Sequence, residues 1–197
     1  MCKRIKVRQI MNKRVLVLHG LGGSDYPHWQ AHLTADLIKQ NTIVSFPAMP
    51  NRDNPTLKEW KEYLKNEIEH FKPTIIVCHS LANLLWFHIC DELDIKLDKL
   101  MMVAPVRNEE LEEAKTFFPY PLPKDLKAKE VIMAASTNDP YMNVEEAIRL
   151  QSKLRIGMKL LEEAGHINAS SGYGKLECAL DWINREEECE LNDEEDA

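Results

Sequence analysis

Residues 72–88 read KPTIIVCHSLANLLWFH and pass from a strand pattern directly into a helix pattern. Ile75, Ile76 and Val77 form a short β-branched apolar run after a proline, which is typical of a strand buried on both faces of a parallel sheet. From Leu81 onward the apolar spacing is helical. A strand that turns into a helix at a serine is the geometry of a nucleophile elbow, so Ser80 is a candidate nucleophile.

The elbow pattern is usually Gly-x-Ser-x-Gly, because the strand and helix backbones pass close together beside the serine. Here Cys78 and Ala82 occupy the two glycine positions, and both side chains are small. A serine that follows a strand also commonly caps the N-terminus of a helix. This segment alone therefore leaves two interpretations of Ser80, a nucleophile or a helix cap.

Length and composition indicate one globular domain. The 197 residues suffice for a single sizeable core, and we predict one domain over 1–197 with its core at about 14–186. Hydrophobic residues make up 44% of the chain and the mean hydropathy is −0.39. No apolar run approaches the ~20 residues that cross a bilayer, so we expect no membrane-spanning segment.

Charge is concentrated at the two ends. Residues 1–14 carry six basic side chains and no acid, whereas residues 186–197 carry eight carboxylates and no base. We therefore predict a basic N-terminal extension (1–13) and an acidic tail (187–197). The rest of the chain is acidic, which disfavours a nucleic-acid-binding surface. Five cysteines without paired spacing, and an N-terminus without an apolar signal region, are typical of a cytoplasmic protein.

A glycine-rich loop follows the first predicted strand. Residues 14–18 (RVLVL) lead into residues 19–24 (HGLGGS). In a dinucleotide-binding loop the third glycine would fall on Asp25, whose charge would repel a pyrophosphate, and the chain contains no P-loop motif. The alternative is an oxyanion loop, in which the backbone amides of Leu21 and Leu81 would stabilise a negative oxygen.

Strand and helix patterns alternate along the whole chain. Further strands are predicted at 42–46, 97–103, 129–135 and 155–161, and helices at 27–40, from a Thr56 cap onward, and at 81–90, 109–115 and 173–187. This alternation predicts a three-layer α/β/α sandwich with about six mostly parallel strands. The aromatic, proline-rich residues 117–123 would either form the wall of an apolar substrate site or pack onto the domain itself.

Asp139 and His166 each follow a predicted strand, as Ser80 does. A turn aspartate before proline is common on its own. The chain order Ser, Asp, His is nevertheless that of α/β-hydrolases. Because ligands bind at the carboxyl ends of the strands in open α/β sheets, we predict that the three side chains meet there as a catalytic triad.

Several spaced motifs together resemble the family of small serine hydrolases like retinoblastoma-binding protein 9, a compact branch of the α/β-hydrolases. The resemblance covers residues 15–182 and is carried by HGLGGS at 19–24 with HW at 28–29, HS at 79–80, STNDPY at 136–141, GHIN at 165–168 and GYG at 172–174. It implies a six-stranded core in the order 2-1-3-4-5-6, a triad of Ser80, Asp139 and His166, and hydrolysis without a cofactor.

Other patterns are less specific. His28 and His32 have the spacing of a helical zinc pair, but the metalloprotease glutamate and a third ligand are missing, so we expect no metal. Cys78 is interpreted as a small buried apolar residue. We predict a serine hydrolase, carboxylesterase-like, that cleaves a small ester, thioester or amide. The alternative is a non-catalytic protein-binding module that retains the hydrolase fold and has a protein partner.

Overall fold

The computed structural model describes residues 13–107 and 111–185. Six strands, all parallel, form one sheet in the order β2-β1-β3-β4-β5-β6. The strands are β1 Arg14–Leu18, β2 Ile43–Ser45, β3 Ile75–His79, β4 Leu97–Val103, β5 Ala128–Ser136 and β6 Gly157–Leu161. The predicted α/β class and the strand order implied by the resemblance are both confirmed.

Helices cover both faces of this sheet. In the described part of the chain the α-helices are α1 Trp29–Lys39, α2 Leu57–Phe71, α3 Leu81–Ile89, α4 Val144–Leu154 and α5 Glu177–Asn184. Helices α1 and α5 pack against one face, and α2, α3 and α4 pack against the other. The domain is therefore a three-layer α/β/α sandwich, as predicted.

Alternate side chains of the central strands enter two separate cores. In β1, Leu16 and Leu18 pack with α2, α3 and α4, whereas Val15 and Val17 pack with α1 and α5. Successive side chains of a strand point to opposite faces, so a strand covered on both sides must be apolar throughout. That requirement explains why the short apolar runs could be recognised in the sequence.

Some boundaries differ from the predictions. Helix α1 begins at Trp29 rather than at residue 27. The last helix begins at Glu177 rather than at residue 173, and residues 173–176 connect it to a 3-10 turn, Ala169–Ser171, that ends at Gly172 with φ 83°.

Helix α4 was not predicted, although its cap is visible in the sequence. The Asn143 side chain accepts a hydrogen bond from the Glu146 amide, and the Glu146 carboxylate accepts one from the Asn143 amide, which is a complete capping box. The helix ends at Leu154 and is followed by the cap residue Arg155, whose φ of 56° is left-handed, and β6 begins at Gly157 and not at residue 155.

Three further sequence predictions fall partly or wholly on residues outside the described ranges. Of the short helix predicted at 109–115, residues 109 and 110 lie outside them, and Glu112–Phe117 forms a 3-10 helix instead of an α-helix. Most of the basic extension and all of the acidic tail also lie outside them. Among the described helices, none is long and apolar enough to span a membrane.

Candidate active site

Ser80 lies at the junction of β3 and α3 in a strained backbone conformation. Its φ is 55° and its ψ is −122°, a backbone conformation that residues other than glycine rarely adopt. Such a residue costs about 1–3 kcal/mol and persists only where its surroundings hold it in place. This conformation is that of a nucleophile elbow. Ser80 occupies the N-cap position of α3, but its side chain makes no capping hydrogen bond to the helix.

Neighbouring polar groups hold the strained turn. The Ser80 amide donates to the Val103 carbonyl at the end of β4 at 3.0 Å. The buried Asn83 side chain donates through Nδ2 to the carbonyls of both Ser80 and Val103, each at 2.9 Å. Because the same side chain bonds the elbow and the adjacent strand, it ties the Ser80 peptide to the sheet.

The close backbone approach expected at the elbow occurs at Gly20. A Cβ atom at Gly20 would lie 2.6 Å from the Cβ of Ser80 and 3.1 Å from its Oγ. Cys78 and Ala82, at the usual glycine positions, are fully buried in the core that contains α2, α3 and α4. The loop after β1 therefore supplies the glycine that the elbow needs.

The structure brings Ser80, Asp139 and His166 together. His166 Nε2 lies 2.8 Å from Ser80 Oγ, and His166 Nδ1 lies 3.0 and 2.9 Å from the two carboxylate oxygens of Asp139. The Tyr141 amide also donates to Asp139 Oδ1 at 2.9 Å. With its Nδ1–H donated to the carboxylate, the neutral imidazole presents Nε2 as an acceptor to the serine hydroxyl.

Each of these three residues follows a strand of the sheet. Ser80 follows β3, Asp139 follows β5 and His166 follows β6. The loop that carries His166 is fixed by side chains after β5: Ser136 Oγ accepts from the Ala164 amide at 2.9 Å, and Asn138 Oδ1 accepts from the Gly165 amide at 2.6 Å. The carboxylate and the imidazole are thus held at the same sheet edge by one network.

His79 connects the elbow to the loop that carries His166. Its Nε2–H donates to the backbone carbonyl of His166 at 3.1 Å. Burial, reinforced by the nearby His166 and His28, lowers the pKa of His79 well below its ordinary value, so its ring is neutral. The residue that precedes the candidate nucleophile therefore bonds the residue that would act as its base.

The glycine-rich loop is held beside Ser80 by Arg52. The Arg52 carbonyl accepts from the Gly22 amide at 2.8 Å, and its guanidinium forms two hydrogen bonds, 2.9 and 2.8 Å long, with Asp25. Gly22 and Gly23 have φ of 76° and 91°, which glycine adopts readily. These contacts fix the backbone that follows Leu21.

A cavity of about 300 Å³ opens over Ser80. Its lining comes from the loop after β1, the start of α1, the elbow and the loop after β6: Leu21, Gly22, Gly23, Ser24, Asp25, His28, His79, Ser80, His166, Asn168, Ala169 and Ser170. Leu21 and Ala169 are the apolar side chains among these. The cavity is therefore small and mostly polar.

Comparisons with known proteins place the chain in a family. The sequence model of the serine hydrolase family matches residues 15–185. The chain belongs to the serine hydrolase family. None of the curated proteins matches it.

Solved structures share the fold of this serine hydrolase. The ydeN gene product of Bacillus subtilis has a TM-score of 0.74 and 21% identity over 87% of this chain and 96% of its own. A ydeN-like hydrolase from Pectobacterium atrosepticum has a TM-score of 0.72 and 24% identity over 87% of this chain and 89% of its own. A monoacylglycerol lipase from Paleococcus ferrophilus has a TM-score of 0.60 and 13% identity over 86% of this chain and 93% of its own.

The aromatic loop of this hydrolase does not line the cavity over Ser80. Phe117 is buried against Trp60, with ring centroids 5.4 Å apart. Pro119, Tyr120 and Leu122 instead border a separate cavity of about 180 Å³. Two alternatives were open for residues 117–123, and packing onto the domain is correct for Phe117. None of the residues 117–123 lines the cavity over Ser80.

The other candidate groups have structural explanations. No cluster of three or more His, Cys, Asp or Glu side chains that could hold a metal occurs within residues 13–107 and 111–185. Nδ1 of His28 accepts from the Gln30 amide, so this ring caps α1. Burial raises the pKa of the Cys78 thiol, in agreement with its interpretation as an apolar residue.

Sequence reasoning missed four residues that shape the hydrolase site, namely Gly20, His28, His79 and Asn83. Gly20, His28 and His79 lay within motifs that the family resemblance quoted, which is the signal that could have identified them. Asn83 had no such signal, because its hydrogen bonds depend on how close β4 lies to the elbow.

Proposed function

We propose that this serine hydrolase cleaves a small ester, thioester or amide through an acyl-enzyme formed on Ser80. The observation that supports this proposal most strongly is the buried relay from Ser80 Oγ through His166 to Asp139, with hydrogen bonds of 2.8 and 2.9 Å. The motifs shared with the family of retinoblastoma-binding protein 9 lead to the same three residues.

In the first half of the reaction His166 acts as a general base. The Ser80 hydroxyl gives its proton to Nε2 as Oγ bonds to the acyl carbon, and Asp139 stabilises the imidazolium that forms. The tetrahedral intermediate then collapses, and the leaving alcohol, thiol or amine takes the proton from Nε2. The acyl group remains on Ser80.

The second half repeats these steps with water. A water molecule gives its proton to His166 and attacks the acyl carbon, after which Ser80 Oγ leaves and regains the proton. The free acid is released. Side chains and water carry every transfer, so the mechanism invokes no cofactor.

The Leu21 and Leu81 amides are proposed as the oxyanion hole. Leu81 is the first residue of α3, where an amide has no acceptor one turn earlier in the helix. Leu21 lines the cavity, and Arg52 bonds the next amide of its loop. Losing one such donor typically reduces the rate by ~10²- to 10³-fold.

A fluorophosphonate probe tests the proposal, because only an activated serine reacts with it. Wild-type protein should be labelled and should hydrolyse a short-chain aryl ester, and Ser80→Ala should do neither while keeping its melting temperature. His166→Ala should lose nearly as much activity, since members of a triad act as a unit. Ser152→Ala, on the exposed surface of α4, is the matched control and should behave as wild type.

The rival function is a non-catalytic protein-binding module, and the replaced elbow glycines are the observation that favours it. Correctly folded wild-type protein that is not labelled would support this rival. Labelling that persists in Ser80→Ala would instead reject Ser80 as the nucleophile.

A further inference from the structure

We infer that His28 is a substrate-binding residue, whose Nε2–H donates a hydrogen bond to an oxygen atom in the part of the substrate that fills the cavity over Ser80. This inference rests on the proposed function and adds to it a class of substrate, namely small acyl compounds with a hydrogen-bond acceptor besides the reacting carboxyl group.

The first step is the tautomer of the His28 ring. The Gln30 amide donates to Nδ1 at 3.2 Å as part of the cap of α1, so Nδ1 carries no proton. Burial lowers the pKa of His28 to about 4, and the ring is therefore neutral near pH 7. A neutral imidazole with an unprotonated Nδ1 carries its proton on Nε2.

The second step is the position of that donor. His28 is 5% exposed and lines the same cavity as Ser80 and His166. Its ring centroid lies 4.8 Å from that of His79, the residue before the candidate nucleophile. No described residue accepts a hydrogen bond from Nε2, whereas Nδ1 has a partner. Nε2 is not one of the fully buried side-chain atoms that lack a partner, so it is accessible from the cavity, where a ligand oxygen would replace water as its acceptor.

The third step is the polarity of the surroundings. Asp25, Asn168 and Ser170 are polar residues in the lining of the cavity, and the aromatic loop contributes no residue to it. At about 300 Å³ the cavity holds a short group. A plain alkyl chain would leave the Nε2–H of His28 unpaired, whereas a chain that contains an ether, hydroxyl or carbonyl oxygen would accept its proton.

Two substitutions separate substrate binding from helix capping. His28→Asn keeps an acceptor close to the position of Nδ1 and can still cap α1, but it places no group where Nε2 was. His28→Gln extends an amide toward the position of Nε2 and gives up the cap. We expect the melting temperature to stay near wild type in His28→Asn and to fall in His28→Gln.

Pairs of isosteric esters reveal the contact. On the acyl side, 4-nitrophenyl methoxyacetate is compared with 4-nitrophenyl butyrate, and on the alcohol side 2-methoxyethyl acetate is compared with butyl acetate. The measured quantity is the kcat/KM of the methoxy ester divided by that of the alkyl ester, both per labelled active site. For the side of the ester that occupies the cavity, this ratio should fall about threefold to tenfold in His28→Asn. Intrinsic reactivity cancels when the ratio is compared between wild type and variant. His28→Gln should retain more of the wild-type ratio.

The outcomes distinguish this inference from the proposed function. If both ratios are unchanged in His28→Asn while wild-type protein is active, the inference is overturned and His28 only caps the helix. An equal loss for both members of each pair also overturns it, since the contact would then be to the reacting group or be purely structural. Wild-type protein that neither reacts with the probe nor cleaves any of the four esters overturns the proposed function, and the inference with it.

Discussion

At the scale of single residues, the geometry of the candidate active site depends on contacts between distant parts of the chain. Gly20 follows β1 and Ser80 follows β3, yet a Cβ at Gly20 would meet Ser80 at 2.6 Å. Asn83 similarly bonds the elbow to Val103 at the end of β4. Ser80 keeps its left-handed conformation because these neighbours fill the space and satisfy the polar groups around it.

Gly20→Ala should strongly reduce the rate of ester hydrolysis. The added methyl would displace Ser80 or the loop that carries Leu21, and overpacking of this kind costs about 1–3 kcal/mol of stability. We expect kcat to fall by at least tenfold, measured with an aryl ester and normalised to folded protein. Gly174→Ala is the control, since its nearest neighbour, His32 Nε2, would be 3.8 Å away. Full activity in Gly20→Ala would show that the loop can move aside.

The limits of sequence-based prediction follow from the same contacts. The meeting of Ser80, Asp139 and His166 was predictable, because each follows a strand and parallel strands end at one edge. The Asn83 bonds were not predictable, because they depend on distances across the sheet. Helix α4 differs from both, since its capping box, Asn143 with Glu146, is a local pattern that the sequence shows directly.

At the scale of elements, α3 begins directly after Ser80, so the backbone of the elbow sets the direction in which this helix starts. Its side chains are buried except at His88, which is half-buried, and Ala82 is completely buried in its first turn. A helix that is apolar on all sides is held by the core around it. Its direction from Ser80 is thus set by packing as well as by the elbow backbone.

Ala82→Gly should therefore not increase turnover. Gly20 already provides the close approach that a glycine at the elbow would offer, and glycine within a helix destabilises it by about 0.5–1 kcal/mol relative to alanine. We expect an unchanged or lower kcat and a slightly lower free energy of unfolding, measured by urea denaturation. A higher kcat would indicate that the Ala82 methyl crowds the elbow after all.

At the scale of the whole molecule, buried neutral histidines make stability depend on pH. Burial is the main cause that lowers the pKa values of His19, His28 and His79 in the folded protein, and the pKa of His28 falls to about 4. In the unfolded chain a histidine titrates near about 6.5. Between these values the unfolded state binds more protons, so the free energy of unfolding rises with pH.

We expect the urea midpoint to be highest above pH ~6.5 and to decrease steadily as the pH is lowered toward about 4. His28→Asn should show a shallower decrease, because one of the groups that take up protons on unfolding is removed. A midpoint that stays constant between pH 7.5 and 5 would contradict the neutral, buried state of these rings.

The acidic C-terminal segment follows α5 directly and lies outside the described residues. Its eight carboxylates and single leucine, at residues 186–197, provide little apolar surface to offset the entropy of ordering. Exposed ion pairs with the basic N-terminal extension would each contribute at most ~1 kcal/mol and would be screened by salt. Deleting residues 189–197 should therefore leave the melting temperature and the esterase rate nearly unchanged at physiological salt. A drop of many degrees that is larger at low salt than at high salt would show that the tail is bound to the domain through its charges.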